Sequence, residues 1–131
     1  MRMSDHPPQA PALQRQAFDH LLARFDASAG EPPATRWPWL EAAHVLGQTR
    51  LGLHWRSHTA MLRYALQLRD GSEVLGQLLR LALVSLGHLL QRLPLGNIGR
   101  AHVSALSPMA TSADTADRIN AALRAMRSPD L

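Results

Sequence analysis

Apolar residues recur at helical spacing in five segments of this chain. The clearest segment has an apolar residue at every fourth position, namely Leu13, Ala17, Leu21 and Phe25, as expected for the buried face of a helix. Strand signals are nearly missing, because no segment alternates cleanly between apolar and polar residues. The pattern predicts five helices over roughly residues 10–27, 35–49, 54–69, 73–91 and 113–127.

The order and spacing of these helices predict an all-α fold. Short connections join the first helix to the second and the third to the fourth, which favours two antiparallel αα-hairpins. The shorter C-terminal helix completes a small helical bundle. Such hairpins resemble helical-repeat modules of the tetratricopeptide type, although the two halves share no convincing sequence repeat.

The chain length of 131 residues predicts a single helical domain over residues 1–131, with one modest core. The first residues contain several prolines and no apolar run, so residues 1–9 are predicted to be flexible. Residues 94–112 contain the glycine-bearing loop Gly96–Gly99 and are predicted to form an irregular arm.

Polar side chains on the second and third predicted helices form two stripes. Glu41, His44 and Gln48 fall within an arc of about 60° on an otherwise apolar helix. His54 and His58 are four residues apart, so they stack on the core-facing side of the next helix. If the two helices lie antiparallel, the stripes meet at matching heights and form one cluster.

The chemistry of this cluster points to a metal. Four of its members are candidate ligands: Glu41, His44, His54 and His58. Histidine is the commonest metal ligand, and a Glu/His set suits Zn, Ni, Cu or non-haem Fe better than Ca or Mg. The alternative is a buried hydrogen-bond network without a metal, because buried polar groups need partners.

Composition removes several classes of function. The chain has no cysteine, which excludes thiolate zinc fingers, iron–sulfur clusters and cysteine nucleophiles. Its formal net charge is +4, but the arginines are spread over every segment without a basic, aromatic-bearing stripe, so nucleic-acid binding is not expected. The N-terminus does not look like a secretory signal, which predicts a cytoplasmic protein. The apolar run Leu81–Leu90 is predicted to be a buried core helix and not a transmembrane segment.

The spacing of several short motifs resembles a family of small bacterial proteins, domain of unknown function 3703. The resemblance covers roughly residues 40–109 and rests on LEAAHVLGQ at 40–48, HWRSH at 54–58 followed by Met61-Leu62, GQLLR at 76–80, PLGNIG at 94–99 and Pro108-Met109. The family pattern has Thr where this chain has Ile98 and Asn where it has His102, so the resemblance implies no role for that loop. Family members look like neighbours of metal-resistance genes, which implies a role in metal tolerance or homeostasis.

Three functions from different classes follow from the sequence. The first is a cytoplasmic transition-metal-binding protein that uses the Glu/His cluster. The second is a non-enzymatic helical adaptor that binds a partner protein, with the histidines as a buried hydrogen-bond network. The third is a metal-dependent enzyme, which would need an open coordination position beside a pocket. The apolar second and fourth helices also favour a homodimer.

Overall fold

The structure is a computed structural model that describes residues 11–92 and 112–127. These residues form five α-helices and no strand, which confirms the all-α fold. The helices are α1 (Pro11–Ala27), α2 (Pro33–Gly47), α3 (Leu51–Leu68), α4 (Gly71–Arg92) and α5 (Ala113–Arg127). The predicted flexible residues 1–9, and the predicted irregular arm except for its last residue, lie outside the described residues.

Three helices begin two or three residues earlier than the sequence predicts. Helix α2 begins at Pro33 and not after Thr35, since proline is pre-organised for the first helical position. Helix α3 begins at Leu51 and takes Gly52 into its first turn. Helix α4 begins at Gly71 and is capped by Asp70, because the Asp70 Oδ1 atom accepts the backbone N–H of Glu73 at 3.1 Å.

The described chain divides into two compact units, and the first unit contains α1, α2 and α5. Its core combines large and small apolar side chains: Ala17, Phe18, Leu21, Leu40, Ala42, Ala43, Ala122 and Leu123. The Gln14 amide near the start of α1 donates to the Leu46 carbonyl at the end of α2, at 2.8 Å. At the other end of α1, Arg36 donates to the Phe25 carbonyl at 3.1 Å. Helices α1 and α2 therefore run in opposite directions, and each supplies a partner for carbonyls that the other helix end leaves open.

The second unit contains α3 and α4, which pack against each other. The Trp55 indole N–H donates to the Ser85 hydroxyl at 3.0 Å. Helix α3 ends at Arg69, whose left-handed backbone (φ 55°) lets its N–H and that of Asp70 bond back to carbonyls of the last turn. The α3–α4 connection is therefore short and fixed by backbone hydrogen bonds.

The apolar face of α4 is the largest departure from the sequence prediction. The run Leu81–Leu90 is not a buried core segment, since Leu83, Leu86 and Leu89 are between 42% and 55% exposed. The helix is also longer than that run. Judged by length and composition alone, its residues Gly71–Leu90 would be long and apolar enough to cross a bilayer, and almost none of this stretch is buried in the structure.

Candidate metal centre

Two of the predicted ligands, His54 and His58, meet on one face of α3. Their Nε2 atoms are 3.1 Å apart, and their ring centroids are 4.9 Å apart with the rings tilted by 41°. The spacing of four residues places both side chains on adjacent turns of one helix face. His58 is buried, with 4% of its surface exposed, and His54 is half-buried. The prediction that this pair faces inward is confirmed for His58.

A glutamine from α4 holds the other side of the His58 ring. The His58 Nδ1 atom lies 2.8 Å from the Gln77 Oε1 atom in a buried hydrogen bond. The Gln77 Nε2 atom in turn donates to the Glu73 Oε1 atom at 2.8 Å. Beyond these bonds, the Arg80 guanidinium approaches Glu73 at 4.0 Å. We call the four side chains His54, His58, Gln77 and Glu73 the polar chain.

The direction of each hydrogen bond in the polar chain follows from the available donors. The Gln77 NH₂ group donates to Glu73, so the Gln77 oxygen acts as acceptor toward His58. His58 must then carry its proton on Nδ1, which leaves Nε2 with a lone pair in the neutral ring. That lone pair points at the Nε2 atom of His54. The polar chain therefore selects the tautomer in which Nε2 of His58 is the ligand or acceptor atom.

Both histidines are more easily kept neutral than an exposed histidine. Burial lowers the pKa of His54, and the nearby His58 lowers the same pKa further. Burial also lowers the pKa of His58; its hydrogen bond with Gln77 opposes this shift, and the positive charge of Arg80 adds to it. A neutral imidazole is the form that binds a metal ion.

The remaining predicted ligands lie on α2. His44 is half-buried on the last turn of that helix, and Glu41 is exposed one turn earlier. Of the four predicted ligands, only His54 and His58 belong to the second unit, whereas Glu41 and His44 belong to the first. The roles of Glu41 and His44 as ligands stay predictions, and Gln48, the remaining member of the predicted cluster, stands at the C-terminal end of α2.

Gln77 is the residue that the sequence did not identify. The polar spacing of α4 favours a solvated edge at this position, and that interpretation is wrong, because only 1% of the Gln77 surface is exposed. The spacing of Glu73 and Gln77, four residues apart on the side of α4 opposite its leucines, was the available signal. Two polar residues one turn apart are compatible with a solvated edge as well as with a buried network.

A shallow cleft of about 290 Å³ lies in the first unit, and its lining contains no histidine. In this cleft the guanidinium groups of Arg24 and Arg118 both contact the Trp39 ring, each at 4.9 Å from the ring centroid. Such contacts are cation–π interactions, which are worth about 0.5–1 kcal/mol at exposed sites. This cleft is therefore lined by an indole ring and charged groups and contains none of the predicted ligands.

The chain was compared with protein families, curated proteins and solved structures. The model of the family described as "Protein of unknown function (DUF3703)" matches residues 12–119. This confirms the resemblance inferred from the motifs and extends it beyond residues 40–109 at both ends. No curated protein and no solved structure matches the chain.

Proposed function

The chain belongs to the DUF3703 family, and from the geometry of its polar chain we propose that it binds a transition-metal ion through the Nε2 atoms of His54 and His58. One observation carries the proposal: Gln77 bonds the Nδ1 side of the buried His58 ring at 2.8 Å and so turns Nε2 toward His54. Histidine ligands in metal sites nearly always donate their second ring N–H to a carbonyl, carboxylate or water. The Gln77 oxygen supplies that acceptor for His58.

The separation of the two ring nitrogens suits a shared ion. Two imidazole nitrogens bound to one tetrahedral zinc at the usual bond length lie about 3.3 Å apart, and the Nε2 atoms of His54 and His58 are 3.1 Å apart. Binding requires His54 to place its ring proton on Nδ1, because its Nε2 lone pair must also face the ion. The lowered pKa of each ring reduces the competition from protons.

A third ligand comes from α2 in this proposal. His44, on the last turn of α2, is the further histidine that the sequence predicts as a ligand. Three histidine nitrogens suit Zn, Ni, Cu(II) or Fe(II). Glu41 is exposed, so Glu41→Gln is expected to change metal affinity less than His58→Ala does. The role extends to metal tolerance or homeostasis, as the family resemblance implied.

The second candidate function is a helical adaptor in which the polar chain is purely structural. The contact that favours it is the same 3.1 Å pair, because His54 Nε2–H donating to His58 Nε2 is an ordinary hydrogen bond. In this case Gln77 satisfies the buried ring and no ion is needed. The two candidates differ in what added metal does to the protein.

Titration calorimetry with Zn²⁺, Ni²⁺ and Cu²⁺ at pH 7.5 separates the two candidates. The proposal predicts about one equivalent bound by the wild type and loss of that binding in His58→Ala. The matched control is His20→Ala, which removes a half-buried histidine of α1 in the first unit and should bind like the wild type.

Thermal melts give a second readout that does not depend on binding heat. Metal bound only to the folded chain raises its melting temperature with rising free-metal concentration, and much less at pH 5.5 than at pH 7.5 because protons compete for the imidazoles. The adaptor candidate predicts instead that none of these ions changes the melt, while His58→Ala costs about 1–3 kcal/mol with or without metal. That result would overturn the metal proposal.

A further inference from the structure

The outer face of α4 is a continuous apolar surface. Six leucines form it, each between 42% and 69% exposed: Leu75, Leu78, Leu79, Leu83, Leu86 and Leu89. They lie within about 140° of the helix circumference and extend over about 21 Å of its length. We call this surface the leucine stripe. Scattered exposed leucines are normal, but contiguous patches of this kind mark interaction sites.

The stripe has the spacing of a helix-pairing seam. Five positions form this seam, in the order Leu75, Leu79, Ala82, Leu86 and Leu89, and Ala82 is also exposed. The intervals between successive positions are four, three, four and three residues. This is the 3.5-residue repeat with which one helix packs along another. Leu78 and Leu83 flank the seam on either side. The polar residues Glu73 and Gln77 lie on the opposite side of the helix, where Gln77 faces α3 through His58.

The exposed area approaches what a stable dimer needs. A large aromatic side chain has an area of about 150–250 Å² that burial can remove from water, and a leucine has somewhat less. Since the six leucines are about half exposed, the exposed apolar area of the stripe is on the order of 500 Å². Trp55 and Leu66 of α3 are also exposed. They are eleven residues apart and hence on one side of α3, and the Trp55–Ser85 bond places that side next to α4. With both added, the surface comes near the ~800 Å² per partner of a standard interface.

We propose that the leucine stripe binds the leucine stripe of a second copy of this chain, with the two α4 helices antiparallel about a two-fold axis near Ala82. The seam is nearly symmetric about Ala82, since leucines stand seven and three residues before it and four and seven after it. A two-fold axis there sets Leu75 against the partner's Leu89, and the small Ala82 lets the helices approach closely. A surface that matches itself in this way is what an isologous dimer requires.

A membrane fits the same helix less well. Helices that lie on a bilayer carry basic residues along their polar face, whereas α4 has Glu73 and Gln77 there beside Arg80. A spanning helix would bring Glu73 and Arg80 into the hydrocarbon region, where charged groups are expensive. A second copy requires none of these groups to leave its present partners.

The first test is the oligomeric state of the full chain, measured by light scattering after size exclusion, in a chelator so that metal cannot bridge copies. The expected mass is twice that of the 14.4 kDa chain, and Leu79→Glu and Leu86→Glu are expected to shift the population to monomer. The matched control is Leu68→Glu, which changes an exposed leucine on the other side of α3 from Trp55 and should leave the dimer intact. A wild-type monomer at tens of micromolar would overturn the proposal.

Cysteine cross-linking tests the geometry without depending on the charge variants. The chain has no cysteine of its own, so Ala82→Cys is expected to give a disulfide-linked dimer at least tenfold faster than the exposed control Arg63→Cys. Leu75→Cys alone should not cross-link, but mixed with Leu89→Cys it should. Equal rates for Ala82→Cys and Arg63→Cys would contradict the proposal. So would a monomer that floats with anionic lipid vesicles and loses this association in Leu79→Glu, which would assign the stripe to a membrane.

Discussion

The two units of this chain differ in the polar groups that they bury and in the apolar side chains that they leave exposed. The first unit buries its large apolar residues, with Phe18, Leu21 and Leu40 almost fully enclosed. In the second unit, His58 and Gln77 are buried, while every exposed large hydrophobic side chain of the described residues belongs to α3 or α4. The packing of the first unit is explained by its own core. The second unit buries Leu53, Met61, Tyr64 and Ala65 beside its polar groups and leaves its other leucines exposed, which is the arrangement expected where a protein binds something.

The same truncation in the two units should have very different effects. Leu21→Ala removes a fully buried side chain of the first unit and is expected to lower the free energy of unfolding by about 2–5 kcal/mol. Leu75→Ala removes a side chain that is 69% exposed and is expected to cost about 0.5 kcal/mol or less at dilute concentration. Urea denaturation measures both. If Leu21→Ala and Leu75→Ala lowered the free energy of unfolding equally, the two units would not differ in how they bury their leucines.

Replacing the buried amide of the second unit should have the next largest effect. Gln77→Leu leaves the Nδ1 proton of His58 without its partner and is expected to cost about 1–3 kcal/mol. It should also weaken zinc binding by about 10–100-fold, because His58 loses the acceptor that orients it. The control is Gln67→Leu at an exposed position of α3, which should change stability by about 0.5 kcal/mol at most. If Gln77→Leu kept the zinc affinity of the wild type, as the control should, Gln77 would have no part in orienting His58.

Acid should destabilise the second unit through its histidine pair. The folded pKa values of His54 and His58 are lowered, so below about pH 6.5 the unfolded chain binds more protons than the folded one. The metal-free protein should therefore be most stable above about pH 7 and lose stability as the pH falls through 6.5 toward the lowered values. The loss is at most about 1.4 kcal/mol per pH unit for each histidine.

Urea midpoints between pH 7.5 and 5 check this prediction when a chelator is present. His58→Gln should make the dependence shallower, whereas Gln67→Leu, which removes no titratable group from an exposed position of α3, should keep the slope of the wild type. An unchanged slope in His58→Gln would show that His58 is not held neutral by the folded chain.

The smallest expected effect concerns the connection between α3 and α4. Arg69 adopts a left-handed backbone, which favours glycine because it has no Cβ. The strain of a side chain in this conformation, about 1–2 kcal/mol, exceeds the extra entropy that glycine gives the unfolded chain, about 0.4–1 kcal/mol. Arg69→Gly is therefore expected to raise the free energy of unfolding by about 0.5–1 kcal/mol. Arg63→Gly, in the exposed middle of α3, should lower it by about as much. A loss in Arg69→Gly would mean that the Arg69 side chain contributes more than the strain it causes.

The helices could be predicted from the sequence because their apolar periodicity is strong and local. The start of α4 was predicted two residues late, since Asp70 and Ser72 are both good caps and only the folded turn selects Asp70. The His54–His58 pair was also predictable, because four residues on a helix fix its spacing.

The partner of His58 was not predictable in the same way. Helix α4 carries a polar stripe and an apolar stripe, and which of them faces α3 depends on packing between the helices. The usual rule that apolar faces turn inward gave the wrong face for Gln77, because the pair on α3 needs a polar neighbour. Exposed leucines and a buried amide in one helix are therefore a feature that only the tertiary structure reveals.

The most direct test of the metal centre is nuclear magnetic resonance of the histidine rings, using long-range ¹H–¹⁵N correlation at pH 7.5. In the metal-free protein, we expect His58 to carry its proton on Nδ1 and to have an unprotonated Nε2. One equivalent of Zn²⁺ should then shift the Nε2 signals of His54 and His58 and leave those of His20 and His88 in place. A His58 ring protonated on Nε2 would contradict the tautomer assigned to it. A spectrum unchanged by zinc would contradict metal binding by His54 and His58.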